Sequence, residues 1–373
     1  MRLIAELELL LRPAAGGLYV VSTGKAEQLA VQERIYGARG ENEVSARWRQ
    51  ALQEAASARV LLLGIPSDVG AGYRRGASEG PQGIRNQLVE EDPEFFRRAA
   101  ARGIVDVGDV FVVPQLLEDE MLSAGQLAAT RRSLYPSLPE AERAALPVSP
   151  LSAAERALSL LLAQAPGAVP VVLGGDHSVA WPVVKVLAAH HPDLAILHLD
   201  AHTDLLEERL GVRHCFATWA FHANELVGRG GRTVQVGIRA TRHDRGHWEG
   251  RTGVRQLWAE DVLRDPGRAQ EQILAALRQC GARALYLSND IDGTDVAFAD
   301  ACGTPEPGGL LPGFVLELIR RAGRELGGMP LVGADLVEVA PALGRGPEGA
   351  APTLRTAAAY LRETLAAILG SPV

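Results

Sequence analysis

Three short stretches gather the side chains best suited to metal chemistry: Gly174-Gly175-Asp176-His177-Ser178, Asp200-Ala201-His202-Thr203-Asp204 and Ser288-Asn289-Asp290-Ile291-Asp292. Each stands where an apolar run breaks. Asp200, Asp204, Asp290 and Asp292 offer anionic oxygens, and His177 and His202 offer imidazoles. Two divalent cations held close together repel, so a site for a pair needs several carboxylates, some shared between the ions. The two-residue spacing in Asp200-x-His202-x-Asp204 and in Asp290-x-Asp292 turns alternate side chains of an extended strand end to one face. Gly174-Gly175 permits a tight turn that aims His177 at the same cavity. The combination predicts a binuclear centre. Its oxygen-rich donor set favours two Mn²⁺ over structural zinc and leaves Ni²⁺, Co²⁺ and Fe²⁺ open. Asp176 is expected to orient its own loop by hydrogen bonding rather than to bind an ion.

Loops of this kind need strands to carry them. Short apolar, β-branched runs recur at residues 60–64, 105–107, 169–173, 194–199, 233–238, 284–287 and 331–332. Between them lie helical patterns, notably over 152–164, 179–190 and 269–278. That alternation predicts an α/β protein with a mainly parallel sheet covered by helices on both faces. Ligands bind such sheets beyond the carboxyl ends of the strands, where all three acidic stretches fall. Residues 1–55 lack a parallel-strand pattern and read as an N-terminal extension, a subunit contact or pocket cover. Residues 56–373 then form a single catalytic domain, with an insertion near 115–150 marked by Pro136, Pro139, Pro147 and Pro150.

Composition narrows the classes of function. Hydrophobic residues make up 47% and charged residues 22% of the 373, an ordinary mixture for a soluble globular protein able to bury a full core. A net charge of -7 without a long basic run argues against nucleic acid as a partner. Cys215, Cys280 and Cys302 are too few and too scattered for a disulfide framework or a cysteine-rich zinc site, which fits a cytoplasmic protein. No segment approaches the ~20 apolar residues of a membrane span.

Taken with Gly76-Ala77-Ser78-Glu79-Gly80-Pro81, Gly303-Thr304-Pro305-Glu306-Pro307-Gly308-Gly309 and Asp335-Leu336-Val337-Glu338-Val339, the three stretches make the chain resemble the ureohydrolase family of arginases and agmatinases from about Val60 onward. The resemblance implies a three-layer α/β/α arginase-like fold with the active site at the carboxyl ends of the strands. It also implies that His177, Asp200, Asp204 and Asp290 hold one Mn²⁺ and that Asp200, His202, Asp290 and Asp292 hold the other, with Asp200 and Asp290 bridging. In such an enzyme the paired metals lower the pKa of a shared water, which attacks the guanidinium carbon and releases urea and an amine. Glu338 is then the candidate guanidinium anchor, His214 the candidate proton shuttle and Thr304 a supporting hydrogen-bond donor, with Asp204 counted in the catalytic set as well as among the ligands. The family commonly forms trimers or hexamers, which the resemblance suggests here as a homo-oligomer.

Substrate choice rests on departures from the family pattern. Arginases carry an Asn shortly after the DAHTD motif that meets the substrate's amino-acid end, whereas Leu205 and Leu206 stand here. A site without that donor discriminates against the charged group. An agmatinase-like activity therefore ranks above arginase, with Asp244 a candidate for the distal end of the substrate. Arg209 and Arg213 keep 4-guanidinobutyrate and 3-guanidinopropionate open, and guanidine itself is a further alternative. A formiminoglutamase or a non-catalytic metal-binding paralogue ranks lower. Cys215, where the family often has glycine, follows the candidate shuttle.

Overall fold

The alternating runs assemble into one nine-stranded sheet in the computed structural model, which describes residues 3–19 and 22–373. In chain order the strands are β1 (Leu11–Arg12), β2 (Val60–Ile65), β3 (Ile104–Val110), β4 (Val169–Gly174), β5 (Leu194–Leu199), β6 (Thr233–Ile238), β7 (Arg255–Trp258), β8 (Ala284–Asp290) and β9 (Leu331–Val337). Their spatial order is β1-β3-β2-β4-β9-β8-β5-β6-β7. Only β1 runs antiparallel to its neighbour, β3; the other adjacent pairs are parallel.

The uniformly apolar strands follow from burial on both faces. Leu61 and Leu63 of β2 pack with Trp48, Leu161 and Val183 on one side. Val60 and Leu62, the alternate residues, pack with Ile84 and Leu88 on the other. Each fully buried leucine contributes about 1.5–3 kcal/mol, so neither helical layer is easily lost. One layer holds Gly40–Glu54, Pro150–Gln164, Ala180–His190 and Trp219–Val227; the opposite layer holds Gly80–Glu91, Pro266–Gln279, Pro312–Glu325 and Ala351–Leu369. This is the three-layer α/β/α arrangement the sequence predicts.

Two strands escape the sequence pattern for physical reasons. β7 is a four-residue edge strand that starts on exposed Arg255, and β1 is a two-residue edge; neither carries an apolar run. β9 extends five residues past the expected 331–332, because Asp335 is buried within it and accepts hydrogen bonds from Tyr286 and Ser288. The helix Leu3–Leu10 and the strand after it are tied into the core as well. Leu7, Leu10 and Leu11 are buried with Leu61 and Leu63, and the Trp48 indole donates to the Val107 carbonyl at 3.0 Å. Residues 115–150 hold a capped helix, Ala124–Leu134, and a short one, Glu140–Arg143, beside a small cluster of Tyr135, Leu146 and Val148.

The order of the central strands decides where chemistry can occur. β4 and β5 are consecutive in the chain, yet β9 and β8 lie between them. The chain therefore leaves β4 and returns on the far side of two later strands, which opens a crevice at the carboxyl edge. His177 follows β4, Asp200 follows β5, Asp290 ends β8 and Glu338 follows β9.

Candidate metal centre

His177 stands at the head of a short helical turn, His177–Val179, immediately after β4. Gly175 makes that placement feasible: its N–H donates to the Ile65 carbonyl at 2.9 Å, and a Cβ there would lie 1.8 Å from the Ser67 carbonyl oxygen. Backbone cannot yield as a side-chain tip can. Gly175→Ala is accordingly expected to destabilise the fold by at least about 1–3 kcal/mol and to displace His177. The denaturant midpoint measures this, and an unchanged midpoint would contradict it. Asp176 acts as anticipated on its own loop, accepting from the N–H groups of Gly70 at 2.9 Å and Ser178 at 2.8 Å. Burial pushes its carboxyl up to about 6.

The imidazole of His177 meets three carboxylates. Its Nδ1 lies 3.3 Å from Asp200 Oδ2, 3.4 Å from Asp204 Oδ2 and 3.1 Å from Asp290 Oδ2. None of these oxygens is in line to accept a hydrogen bond, and Nδ1 is a buried polar atom without a partner. Across the ring, Nε2 lies 2.9 Å from Ser288 Oγ, whose hydroxyl donates to Asp335 Oδ1 at 2.9 Å. Ser288 therefore accepts the Nε2 proton, which leaves Nδ1 as the ring atom that faces the carboxylates. An orphaned nitrogen amid three carboxylate oxygens fits a divalent cation.

A second cluster shares Asp200 with the first. His202 Nδ1 lies 3.4 Å from Asp200 Oδ1 and 3.2 Å from Asp292 Oδ2. Asp200 thus directs one oxygen to each half. Asp290 reaches the first half through Oδ2, while its Oδ1 accepts the Asp292 N–H at 2.9 Å. The hydroxyl of Thr304 donates to Asp292 Oδ2 at 2.8 Å.

Backbone strain concentrates here. Among the described residues, four that are not glycine have positive φ, and two of them are Asp204 at 50° and Glu338 at 63°. Such conformations cost of order 1–3 kcal/mol and persist where the surroundings hold them. Glu338 is buried, and its Oε1 accepts the His177 N–H at 2.9 Å. Burial first, and the Asp176 charge next, hold its carboxyl well above the ordinary range, a penalty that a bound cation would relieve.

Without a cation, the crowded carboxylates favour protons on the groups of this cluster. Burial opposes a charge on His177, but the nearness of Asp200 and Asp290 outweighs it and holds the imidazole well above its usual pKa. For His202 burial again opposes the charge, and Asp292 and Asp200 again prevail. Burial, then the Asp200 charge, pushes Asp204 up to about 8. Groups with raised pKa values keep their protons at neutral pH, and a cation would have to displace them. Metal affinity is therefore expected to rise with pH, by roughly tenfold per pH unit for each proton displaced. Calorimetric Mn²⁺ titrations in buffers of different ionisation enthalpy check this; affinity independent of pH, with no proton released, would contradict it.

Several groups at the site were not singled out from the sequence. His198, fully buried in β5, donates from Nε2 to Asp200 Oδ2 at 2.8 Å. Gln235 donates to its Nδ1 at 2.9 Å and accepts from Gln256 at 2.8 Å, which fixes the tautomer. Burial lowers the pKa of His198 and keeps it neutral. A lone histidine in an apolar strand, two residues before Asp200 and on the same face, was the available signal. The indole of Trp219 donates to Asp204 Oδ2 at 2.9 Å and lies against His177, for which no sequence signal existed.

His214 is buried, its ring stacked on Trp181. The residues expected at the distal end of the substrate are both exposed. Asp244 is an exposed N-cap that accepts the His247 N–H at 2.8 Å. Arg213 is exposed in an outer cleft with Glu207, His222 and Glu225. Leu205 packs into the core with Trp219, so of the two leucines only Leu206 is exposed.

The matching family description is the arginase family, whose model aligns with residues 58–366. The chain belongs to the arginase family. This arginase-family chain is 30% identical over 284 residues to the mitochondrial guanidino acid hydrolase of Homo sapiens, covering 75% of this chain and 71% of that protein. It is 32% identical over 294 residues to the mitochondrial agmatinase of Gallus gallus, covering 75% and 73%. Among solved structures it resembles the proclavaminate amidino hydrolase of Streptomyces clavuligerus, with a TM-score of 0.65, 29% identity and coverage of 84% and 92%. Family membership and the paired clusters identify a binuclear-metal hydrolase of the ureohydrolase type.

Proposed function

We propose that the protein hydrolyses a small guanidino compound lacking an α-amino acid group, agmatine foremost, to urea and an amine. The carboxylate Asp200, with one oxygen toward His177 and the other toward His202, is the observation that carries the reading. His177, Asp200, Asp204 and Asp290 would hold one ion, and Asp200, His202, Asp290 and Asp292 the other. Bound there, Mn²⁺ ions supply Lewis acidity and lower the pKa of a water. Glu338 would hold the substrate cation, and His214 would carry protons between the water and the leaving nitrogen. In balance, the water oxygen becomes the urea oxygen, the C–N bond to the chain breaks, and both water protons leave on the amine as an ammonium.

Agmatine is favoured over arginine because the DAHTD loop continues into buried Leu205 and exposed Leu206, neither of which can hydrogen-bond a carboxylate. A guanidino acid is the second reading. Its basis is Arg209, exposed in the same loop with its guanidinium 4.8 Å from the centre of the Phe216 ring. Screening the Mn²⁺-loaded protein for urea release from agmatine, arginine, 4-guanidinobutyrate, 3-guanidinopropionate and guanidine tests both. Agmatine is expected to exceed arginine in kcat/KM by at least about 10²-fold, the scale of a missing hydrogen-bond partner. Formamide from a formimino substrate, with no urea from any guanidino compound, would overturn the proposal. Parallel Ni²⁺, Co²⁺ and Fe²⁺ arms test the metal.

The cellular setting belongs to the same reading. Three free cysteines and the lack, among the described residues, of a helix long and apolar enough to cross a membrane support a cytoplasmic enzyme. We assign residues 1–55 as an extension to a single catalytic domain and the assembly as a homotrimer or homohexamer, which light scattering would establish.

A further inference from the structure

The insertion near 115–150 reaches the candidate proton shuttle through one side chain. Glu118 Oε2 lies 2.7 Å from His214 Nδ1, across 96 residues of chain. The glutamate is firmly placed. On one side the Leu117 carbonyl accepts the Leu151 N–H at 3.3 Å. On the other, the Asp119 N–H donates to Ser152 Oγ at 3.1 Å, and its carboxylate accepts the Ser149 N–H at 3.0 Å.

The histidine is held as closely. Trp181 stacks on its ring at 4.8 Å with an interplanar angle of 23°, and His222 meets it edge-on, also at 4.8 Å. Its Nε2 is buried without a hydrogen-bond partner. A carboxylate accepts only, so Nδ1 must be the proton-bearing nitrogen in this contact. Nε2 is then the ring atom free to take a proton and return it. We propose that Glu118 is a positioning residue of the hydrolase: it fixes the tautomer and orientation of His214, as a carboxylate does for the histidine of a hydrolytic triad. The inference rests on the proposed shuttle role of His214. It gives the insertion a part in catalysis that its surface location would not suggest.

Glu118→Ala, Glu118→Gln and His214→Asn, each prepared as the full metal-loaded chain, test it. Agmatine or the best substrate of the screen is the probe, with metal content and Tm measured alongside. Glu118→Ala is expected to lower kcat by at least about tenfold, within the range of general acid–base effects, with KM, metal content and Tm unchanged. Glu118→Gln should fall between wild type and Glu118→Ala, because its amide oxygen still accepts the Nδ1 proton. If Glu118→Ala does not fold, a Glu118→Gln enzyme with unaltered kcat overturns the proposal. A folded Glu118→Ala enzyme with wild-type kcat, or one whose loss tracks metal content or Tm, overturns it while leaving a crippled His214→Asn to support the shuttle. Full turnover by His214→Asn removes both.

Discussion

Asp200→Asn is expected to empty both halves of the centre at once, lowering metal content below one ion per chain and kcat/KM by about 10³-fold or more, some 4 kcal/mol of barrier. The effect follows from the position of this carboxylate. Its oxygens lie 3.3 Å from His177 Nδ1 and 3.4 Å from His202 Nδ1, so one negative charge would serve both proposed cations. The replacement removes more than charge. Oδ2 accepts from His198 Nε2 at 2.8 Å, and Oδ1 accepts the His202 N–H at 2.6 Å. An amide NH₂ in either place sets a donor against a donor, in a site too buried for water to relieve. Asp204→Asn provides the contrast: Asp204 Oδ2 meets His177 but has no contact with His202, so about one ion should remain. Elemental analysis with urea release measures both variants. A two-metal, fully active Asp200→Asn enzyme would contradict the shared-ligand account.

His214→Asn is expected to keep both ions, because His214 contacts Glu118, Trp181 and His222 and none of the proposed ligands. The loss should fall on kcat, by roughly 10²–10³-fold, as when a positioned general acid–base is removed. KM should change little if Glu338 carries most of the substrate's binding. Asparagine can hydrogen-bond Glu118 but cannot exchange a proton near neutral pH. Added imidazole is expected to restore part of the rate. Undiminished turnover would place proton transfer on another group.

The site was legible in the sequence to the extent that its residues are close in the chain and chemically uncommon. Asp200, His202 and Asp204 lie on one loop, and Asp290 and Asp292 on another, so two-residue spacing at a strand end suffices to align them. What escaped depends on the fold. His198 becomes a partner of Asp200 only once Gln235, from the neighbouring strand β6, fixes its ring. Glu118 lies in a stretch that reads as a surface insertion, and no local pattern links it to His214. Trp219 reads as ordinary core, and its indole N–H becomes significant only beside Asp204. The sheet was similarly legible where both faces are buried, as in β2 and β5, and illegible at its edges. There the short strands β1 and β7 lack apolar runs, and pairing with a neighbour defines them. Substrate selection was the least legible feature: Asp244 and Arg213 have suitable chemistry, and the fold makes one an exposed helix cap and sets the other in an exposed cleft.

The most direct test of the account is anomalous diffraction from crystals of the Mn²⁺-loaded protein, collected on both sides of the manganese absorption edge. The paired clusters predict two anomalous peaks per chain, one on each side of the Asp200 carboxylate, the first against His177 and the second against His202. A single peak, or none, at full metal loading would contradict the binuclear centre and with it the proposed hydrolase.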